Sequence, residues 1–295
     1  MLRLHLLVVI WGFTAILGRL ISIPPTEVVF YRTLLAALGL AFLLFRKKES
    51  ILLQKGGIIR YLSIGILIAA HWILFFASAR VANISVSLAG MATSSLWTSF
   101  LEPVILRRKI YFHEVILGML VIGGLYMIFH FEFDHALGLS LGIGSAFLHA
   151  LFSVLNSKYT KGHHHHLITF YEMTGACLAI AIFFPFYSLY IVQGPLELVP
   201  QANDWLWLLL LALVCTVYAY SQWVELMKRM TAFTTNLVVN LEPVYGIILA
   251  FIIFGETEKM APGFYLGTSV ILISVLLYPF VDKRLRKKQI ASEWK

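Results

Sequence analysis

The two halves of this 295-residue chain repeat one another, and each half holds an odd number of apolar segments. Leu117-Gly118 with Val121-Ile122 recurs as Leu266-Gly267 with Val270-Ile271, and Arg80 and Leu88 recur as Arg229 and Leu237, all 149 residues apart. Each copy carries about five segments of the length that crosses a bilayer, roughly 20 apolar residues. An odd number of crossings turns the second copy upside down relative to the first. Inverted repeats of this kind build secondary transporters, with the binding site near mid-membrane where the halves meet.

Composition agrees that lipid is the solvent. Hydrophobic residues make up 60% of the chain and charged ones 13%, with a mean hydropathy of +0.84. A soluble domain of this size does not bury so much apolar surface. The expected spans are 4–22, 27–45, 61–79, 86–106, 114–130, 137–156, 167–190, 205–224, 232–254 and 262–281. Ten spans use roughly two thirds of the chain, which leaves no room for a separate soluble domain. The segment 86–106 is rich in Ser and Thr and reads as a buried, pore-facing helix if it spans at all. The N-terminal apolar stretch contains Trp11 and Gly12 and lacks a small-residue cleavage site, so it is read as the first span rather than a signal peptide. Cys177 and Cys215 fall within apolar segments at no disulfide or zinc spacing and read as small core residues.

A net charge of +8 raises the question of nucleic acid, but the basic residues gather in short clusters between spans. There they set orientation. With the N-terminus inside, the inside set is Arg3, Arg46-Lys47-Lys48, Lys55, Arg60, Arg107-Arg108-Lys109, Lys158, Lys161, Lys228-Arg229, Lys283, Arg284, Arg286, Lys287, Lys288 and Lys295. The outside set is Arg19, Arg80 and Lys259. Nineteen against three predicts cytoplasmic termini and an even number of spans. The repeat also passes a test of loop charge. Arg107-Arg108-Lys109 aligns with Glu256-Thr257-Glu258, so the basic cluster is lost where the inverted copy places that loop outside. Earlier spans match at shifted spacings: Phe30-Tyr31-Arg32 against Phe170-Tyr171-Glu172, and Trp11-Gly12 against His149-Ala150.

Ten spans as two inverted fives, the early Trp11-Gly12, the pair Tyr31-Arg32 near the head of span two, and Leu241-Glu242-Pro243 followed by Phe254-Gly255-Glu256 resemble EamA-type members of the drug/metabolite transporter superfamily. The likeness covers about residues 1–285. It implies an all-α integral membrane protein with a first five-helix repeat at 1–133, a second, inverted one at 134–285, and a basic cytoplasmic tail at 286–295. It further implies a multi-pass carrier of the bacterial inner membrane, commonly an exporter of amino acids and related metabolites. One departure stands out. Such proteins often end the fourth span of each copy in Gly-Glu; copy two has Gly255-Glu256, whereas copy one has Leu106-Arg107. Leu101-Glu102-Pro103 sits 140 residues before Leu241-Glu242-Pro243, not 149, so Glu102 is read as a span-end residue and Thr93-Ser94 as the counterpart of Glu242-Pro243.

Glu242 is the sharpest site candidate, because a carboxylate at mid-bilayer costs about 3 kcal/mol and must face protein or water. Low dielectric favours the protonated form of a carboxyl, which suits proton exchange. Pro243 has no N–H to donate and is expected to bend the helix and free the carbonyl of Val239, with Asn240 beside it. Arg32 could grip a substrate carboxylate in two parallel bonds, snorkel outward, or pair with Glu27. Glu172 occupies the matching place in copy two, so the two charges would face opposite mouths of one cavity. His71, Trp72 and His149 lie mid-span, as proton relays or as neutral core residues. Trp11, Trp97, Tyr218 and Tyr220 sit away from the interfacial belts and could line an aromatic cavity or simply pack. Ser94, Ser95, Thr98, Asn156 and Asn236 read as interhelical hydrogen-bonding groups. Gly123-Gly124 and Ala36-Ala37 read as close-contact positions.

His163-His164-His165-His166 reads as a solvated inside loop rather than a metal site, since dedicated sites draw ligands from spaced positions. No phosphate loop, nucleotide fingerprint or zinc hydrolase motif occurs, so no cofactor is expected. The expected function is transport of a small polar or amphipathic metabolite by alternating access, with the bilayer, the substrate and optionally protons as partners. A passive uniporter or channel on the same fold is the alternative. An enzyme is disfavoured because the loops are too short to bring His, Asp or Lys together at one interface.

Overall fold

The computed structural model describes residues 2–53, 55–107, 112–131 and 133–293. Arg108, Lys109 and Lys295 of the orientation argument lie outside the described residues. Among the described residues the chain is entirely helical. The helices are α1 Leu2–Gly12, α2 Thr14–Leu20, α3 Pro25–Arg46, α4 Lys55–Val81, α5 Ile84–Met91, α6 Ser94–Leu106, α7 Phe112–Phe131, α8 Ala136–Tyr159 and α9 His165–Phe186. They continue with α10 Asp204–Leu209, α11 Ser221–Met227, α12 Ala232–Val239, α13 Glu242–Phe254 and α14 Pro262–Glu293. Wider π-helical turns at Tyr187–Val192 and Leu210–Tyr220 extend α9 and join α10 to α11.

Among the described residues, seven helical stretches are long and apolar enough to cross a membrane: Arg3–Leu20, Pro25–Arg46, Gly56–Val81, Ile84–Leu106, Phe133–Tyr159, His165–Val192 and Asp204–Met227. Shorter apolar helices run over Ile116–Ile128 and Pro262–Ser274, within α7 and α14. The Ser- and Thr-rich segment is helical, and 83% of its apolar window is buried inside the protein. Other helices surround it, so its hydroxyls meet protein groups instead of lipid.

Two helix breaks near the centre of the molecule have local causes. Asn83 caps α5 by accepting from the Val86 amide at 2.8 Å. Glu258 supports the same end, accepting from the Ile84 and Ser85 amides at 3.2 and 2.9 Å. The chain then breaks at Ala92-Thr93, where Thr93 Oγ1 donates back to the Gly90 carbonyl at 2.8 Å, and α6 begins at Ser94. The second break falls at Asn240-Leu241, before α13. Pro243 sits in the first turn of α13, where its missing N–H leaves no hydrogen bond unmade. The bend expected from Pro243 is a full interruption, and α12 ends at Val239, the residue whose carbonyl Pro243 was expected to free. The breaks touch: Ser94 Oγ donates to Asn240 Oδ1 at 2.9 Å.

Packing is paired across the halves. α4 lies against α8 and α9, α3 against α9 and the 210–220 turns, and α7 against α14. α5 and α6 meet α13 and α12 and also pack on α8, just as α12 and α13 pack on α1. Similar pairs therefore occur on both sides: α5 with α8 beside α12 with α1, and α5 with α13 beside α6 with α12. α3 and α9 run antiparallel, because Lys47 just past the end of α3 reaches His166 at the start of α9. Close crossings need glycine. A Cβ on Gly65 would collide with the Glu172 carbonyl, and one on Gly175 with the Leu62 carbonyl. Gly124 and Gly267 serve α7 and α14 in the same way, whereas Gly123 faces open space.

Candidate functional site

The breaks and the wide π-helical turns surround one cavity of about 480 Å³, its open mouth included. Its wall takes Trp11 from α1, Thr14 from α2, Arg32 from α3, His71, Trp72 and Phe75 from α4, and Met91 from α5. The second half supplies His149 and Phe152 from α8, Tyr220 from the π-helical turns, Trp223 from α11, Val239 from α12 and Glu242 from α13. The space is tight: the part open to water is about 40 Å³, room for roughly one or two waters, so a bound solute must widen it.

Arg32 is almost wholly buried, at 2% exposure. It neither snorkels nor pairs with Glu27, whose two carboxyl oxygens are buried without hydrogen bonds. Its guanidinium instead lies over the Trp72 ring, 3.7 Å from the centroid, a cation–π contact that strengthens as water is excluded. Arg32 Nε donates to Thr216 Oγ1 at 2.9 Å. That hydroxyl spends its own proton on the Leu211 carbonyl five residues back, at 2.9 Å, as the π-helical turn allows. The two terminal nitrogens of Arg32 make no hydrogen bond with the described residues, and the cavity is what they face.

Glu242 begins α13 on the other side of the same cavity, 7% exposed. No hydrogen bond or ion pair holds its carboxyl among the described residues, and no Arg32 nitrogen lies within 4.0 Å of it. A cation and an acid thus line one space without a direct ion pair between them. Close helix crossing places Trp11 in that space: α1 passes α13 where Gly12 meets Tyr245 and Gly246. Trp11 Nε1 donates to the Cys215 carbonyl at 3.1 Å, which fixes the ring.

The aromatic wall is a continuous set of ring contacts. His71 stacks on His149 with centroids 5.3 Å apart, and His149 stacks on Trp223 at 6.1 Å. Phe152 meets Trp223 edge-on at 5.9 Å, and Trp11 meets Trp223 edge-on at 6.0 Å. Ser145 anchors His71, whose Nδ1 lies 2.9 Å from the Ser145 carbonyl and 2.8 Å from its hydroxyl. His149 Nδ1 has no hydrogen-bond partner.

The structure brings together Glu242, Arg32, Trp11, His71, Trp72 and His149, and sets the other five candidates elsewhere. Asn240 holds the two breaks together through Ser94, and Pro243 starts α13. Trp97 packs edge-on against Phe147 at 5.4 Å, away from the cavity. Tyr218 is 48% exposed and lines a separate pocket with Arg3, Leu7, Gln222 and Leu226. Tyr218 and Tyr220 lie two residues apart and face different sides, so only one of them reaches the cavity. Glu172 stands behind the wall, fully buried, with Tyr220 donating to its Oε2 at 3.0 Å and Asn156 Nδ2 donating to the Tyr220 hydroxyl at 3.1 Å. Sequence reasoning missed Trp223 and Phe152. The signal was there, since Trp223 is three residues after Tyr220 and Phe152 three after His149, a spacing that shares a helix face.

Comparison with known proteins agrees with this architecture. A profile described as the EamA-like transporter family matches residues 1–130 and 136–279. A protein of Haemophilus influenzae (strain ATCC 51907 / DSM 11121 / KW20 / Rd) described as "Uncharacterized transporter" is 24% identical over 302 residues, covering 94% of each chain. A solved structure titled "Crystal structure of protein" superposes with a TM-score of 0.67 at 13% identity, covering 96% of this chain and 97% of that one, and so shares the fold. These matches indicate a multi-pass membrane transporter rather than an enzyme. The chain belongs to the EamA-like transporter family.

Proposed function

We propose that the cavity binds a small zwitterion of the amino-acid type and that the protein carries it across the membrane by alternating access. The observation that carries this reading is the placing of Arg32 and Glu242: both line one cavity, and no direct ion pair joins them among the described residues. A substrate carboxylate would take the two terminal guanidinium nitrogens as a fork. Its ammonium would meet Glu242, and its side chain would lie among Trp11, Trp72, Phe152 and Trp223. Burying one charge alone is expensive in such a site, so a ligand with both signs is preferred over one with either. Ten crossings with cytoplasmic termini, arranged as two inverted halves, are supported by the similar helix pairs on both sides and by the antiparallel run of α3 and α9. Export is proposed from the family resemblance, and proton coupling from the unpaired Glu242.

Purified protein in proteoliposomes, loaded with unlabelled solute and tested for counterflow of labelled amino acids, examines this directly. Zwitterions are expected to outcompete the matching amines and the matching carboxylic acids. Equal competition by a simple amine or a simple acid would overturn the reading.

A further inference from the structure

We propose that the end of the bundle carrying Lys47 and Lys158 holds a binding site for a borderline divalent transition metal such as zinc or nickel, formed by His164, His165 and His166 with Glu225 and Glu49 beside them. The sequence shows only a run of histidines, but the fold gives that run a shape. α9 begins at His165 with His164 as its capping residue, so the three side chains are held by a helix start instead of a free loop. One ligand nitrogen from each ring falls within 4.8 Å of the others. The ring centroids are 4.1 to 5.0 Å apart. Zinc–nitrogen bonds of about 2.0–2.1 Å in tetrahedral geometry set nitrogens roughly 3.4 Å apart, so modest ring rotation closes the site.

Two carboxylates arrive from other elements. Glu225 Oε2 of α11 lies 3.1 Å from His165 Nδ1, and Glu49 Oε2, just after α3, lies 3.2 Å from His164 Nδ1. Neither contact is aligned as a hydrogen bond: among the described residues, both His165 nitrogens and Glu49 Oε2 are buried without a hydrogen-bond partner. Imidazoles that bind metals commonly hand their second nitrogen to a carboxylate, which orients the ring and sharpens affinity. Two cations limit the site. Lys228 Nζ shares Glu225 Oε2 at 2.6 Å, and Lys47 Nζ stands 3.5 Å from His166 Nδ1. A bound metal must move Lys47 aside. His163 is turned away, its Nδ1 3.1 Å from the Tyr61 hydroxyl.

Full-length protein purified through a tag without histidine is titrated with Zn²⁺ by calorimetry and with Co²⁺ by visible absorption. One equivalent is expected, with an intense tetrahedral cobalt band. Glu225→Gln should weaken binding about tenfold or more, Lys47→Met should tighten it, and His163→Ala should leave it unchanged. If Glu225→Gln lowers the melting temperature of the metal-free protein, Glu49→Gln takes its place. Absence of stoichiometric binding, or binding no tighter than that of a peptide of residues 161–168 and indifferent to the carboxylate variants, would show an adventitious histidine run and end the proposal.

Discussion

At the scale of single residues, Arg32 and Glu242 decide what the cavity can hold. Lys in place of Arg32 keeps the charge but loses the planar fork and the stacking on Trp72. A charge-assisted hydrogen bond is worth about 1.5–3 kcal/mol. Arg32→Lys should therefore raise the half-saturating substrate concentration roughly tenfold or more in counterflow, and Arg32→Met should abolish saturable binding. Normal saturation in Arg32→Met would remove the arginine from the site. Glu242→Gln keeps the shape of the acid and removes its exchangeable proton. Flux driven by a pH gradient should vanish in that variant while solute exchange partly persists; undiminished driven flux would refute proton coupling through Glu242. Both residues were legible in the sequence, because ionisable groups inside apolar spans are conspicuous. Trp97 and Tyr218 were equally conspicuous, yet one packs on Phe147 and the other faces outward. An aromatic ring at mid-span carries no label for the side of the helix it occupies.

Among the helices, the site depends on where they stop and how closely they cross. The breaks at Ala92-Thr93 and Asn240-Leu241 let α5 end and α13 start inside the protein, and they bring Glu242 to the cavity at a helix start. The 149-residue register pairs Thr93-Ser94 with Glu242-Pro243; in the structure α6 begins at Ser94 and α13 at Glu242. Pro243 pointed to a freed carbonyl at Val239, and α12 ends at that residue. A side-chain bond from Ser94, in the other half of the chain, then holds Asn240 at the break. Glycine contacts make a parallel prediction. Gly65→Val forces a side chain into the Glu172 backbone and should destabilise the protein by about 1–3 kcal/mol, read as a lower melting temperature in detergent. Gly123→Ala, which meets nothing, should leave the melting temperature unchanged. Equal behaviour of the two variants would mean that the α4–α9 crossing tolerates separation.

For the molecule as a whole, the pairing of helices across the halves is what turns scattered polar residues into one cavity. α3, α4 and α8 bring Arg32, His71 and His149 to the same depth, although they lie far apart in the chain. The excess of basic residues in one set of loops predicts that reporters fused to the N- and C-termini will sit on the same, cytoplasmic side. A fluorescent protein at the C-terminus should be bright and a periplasm-dependent phosphatase there inactive. The reverse pattern would rule out ten crossings with cytoplasmic termini.

Apolar runs, loop charges and the internal spacing were enough to determine that the chain is a helical membrane protein and that it resembles its family, because hydropathy and charge act locally and can be read without knowing any contact. The tertiary structure alone decided which buried polar groups face one another. Arg32 and Glu242 line a shared cavity while Glu172 is tied to Tyr220 behind its wall. Those outcomes depend on helix rotation and crossing distance, which arise from the packing of side chains hundreds of residues apart and leave no mark in the local sequence.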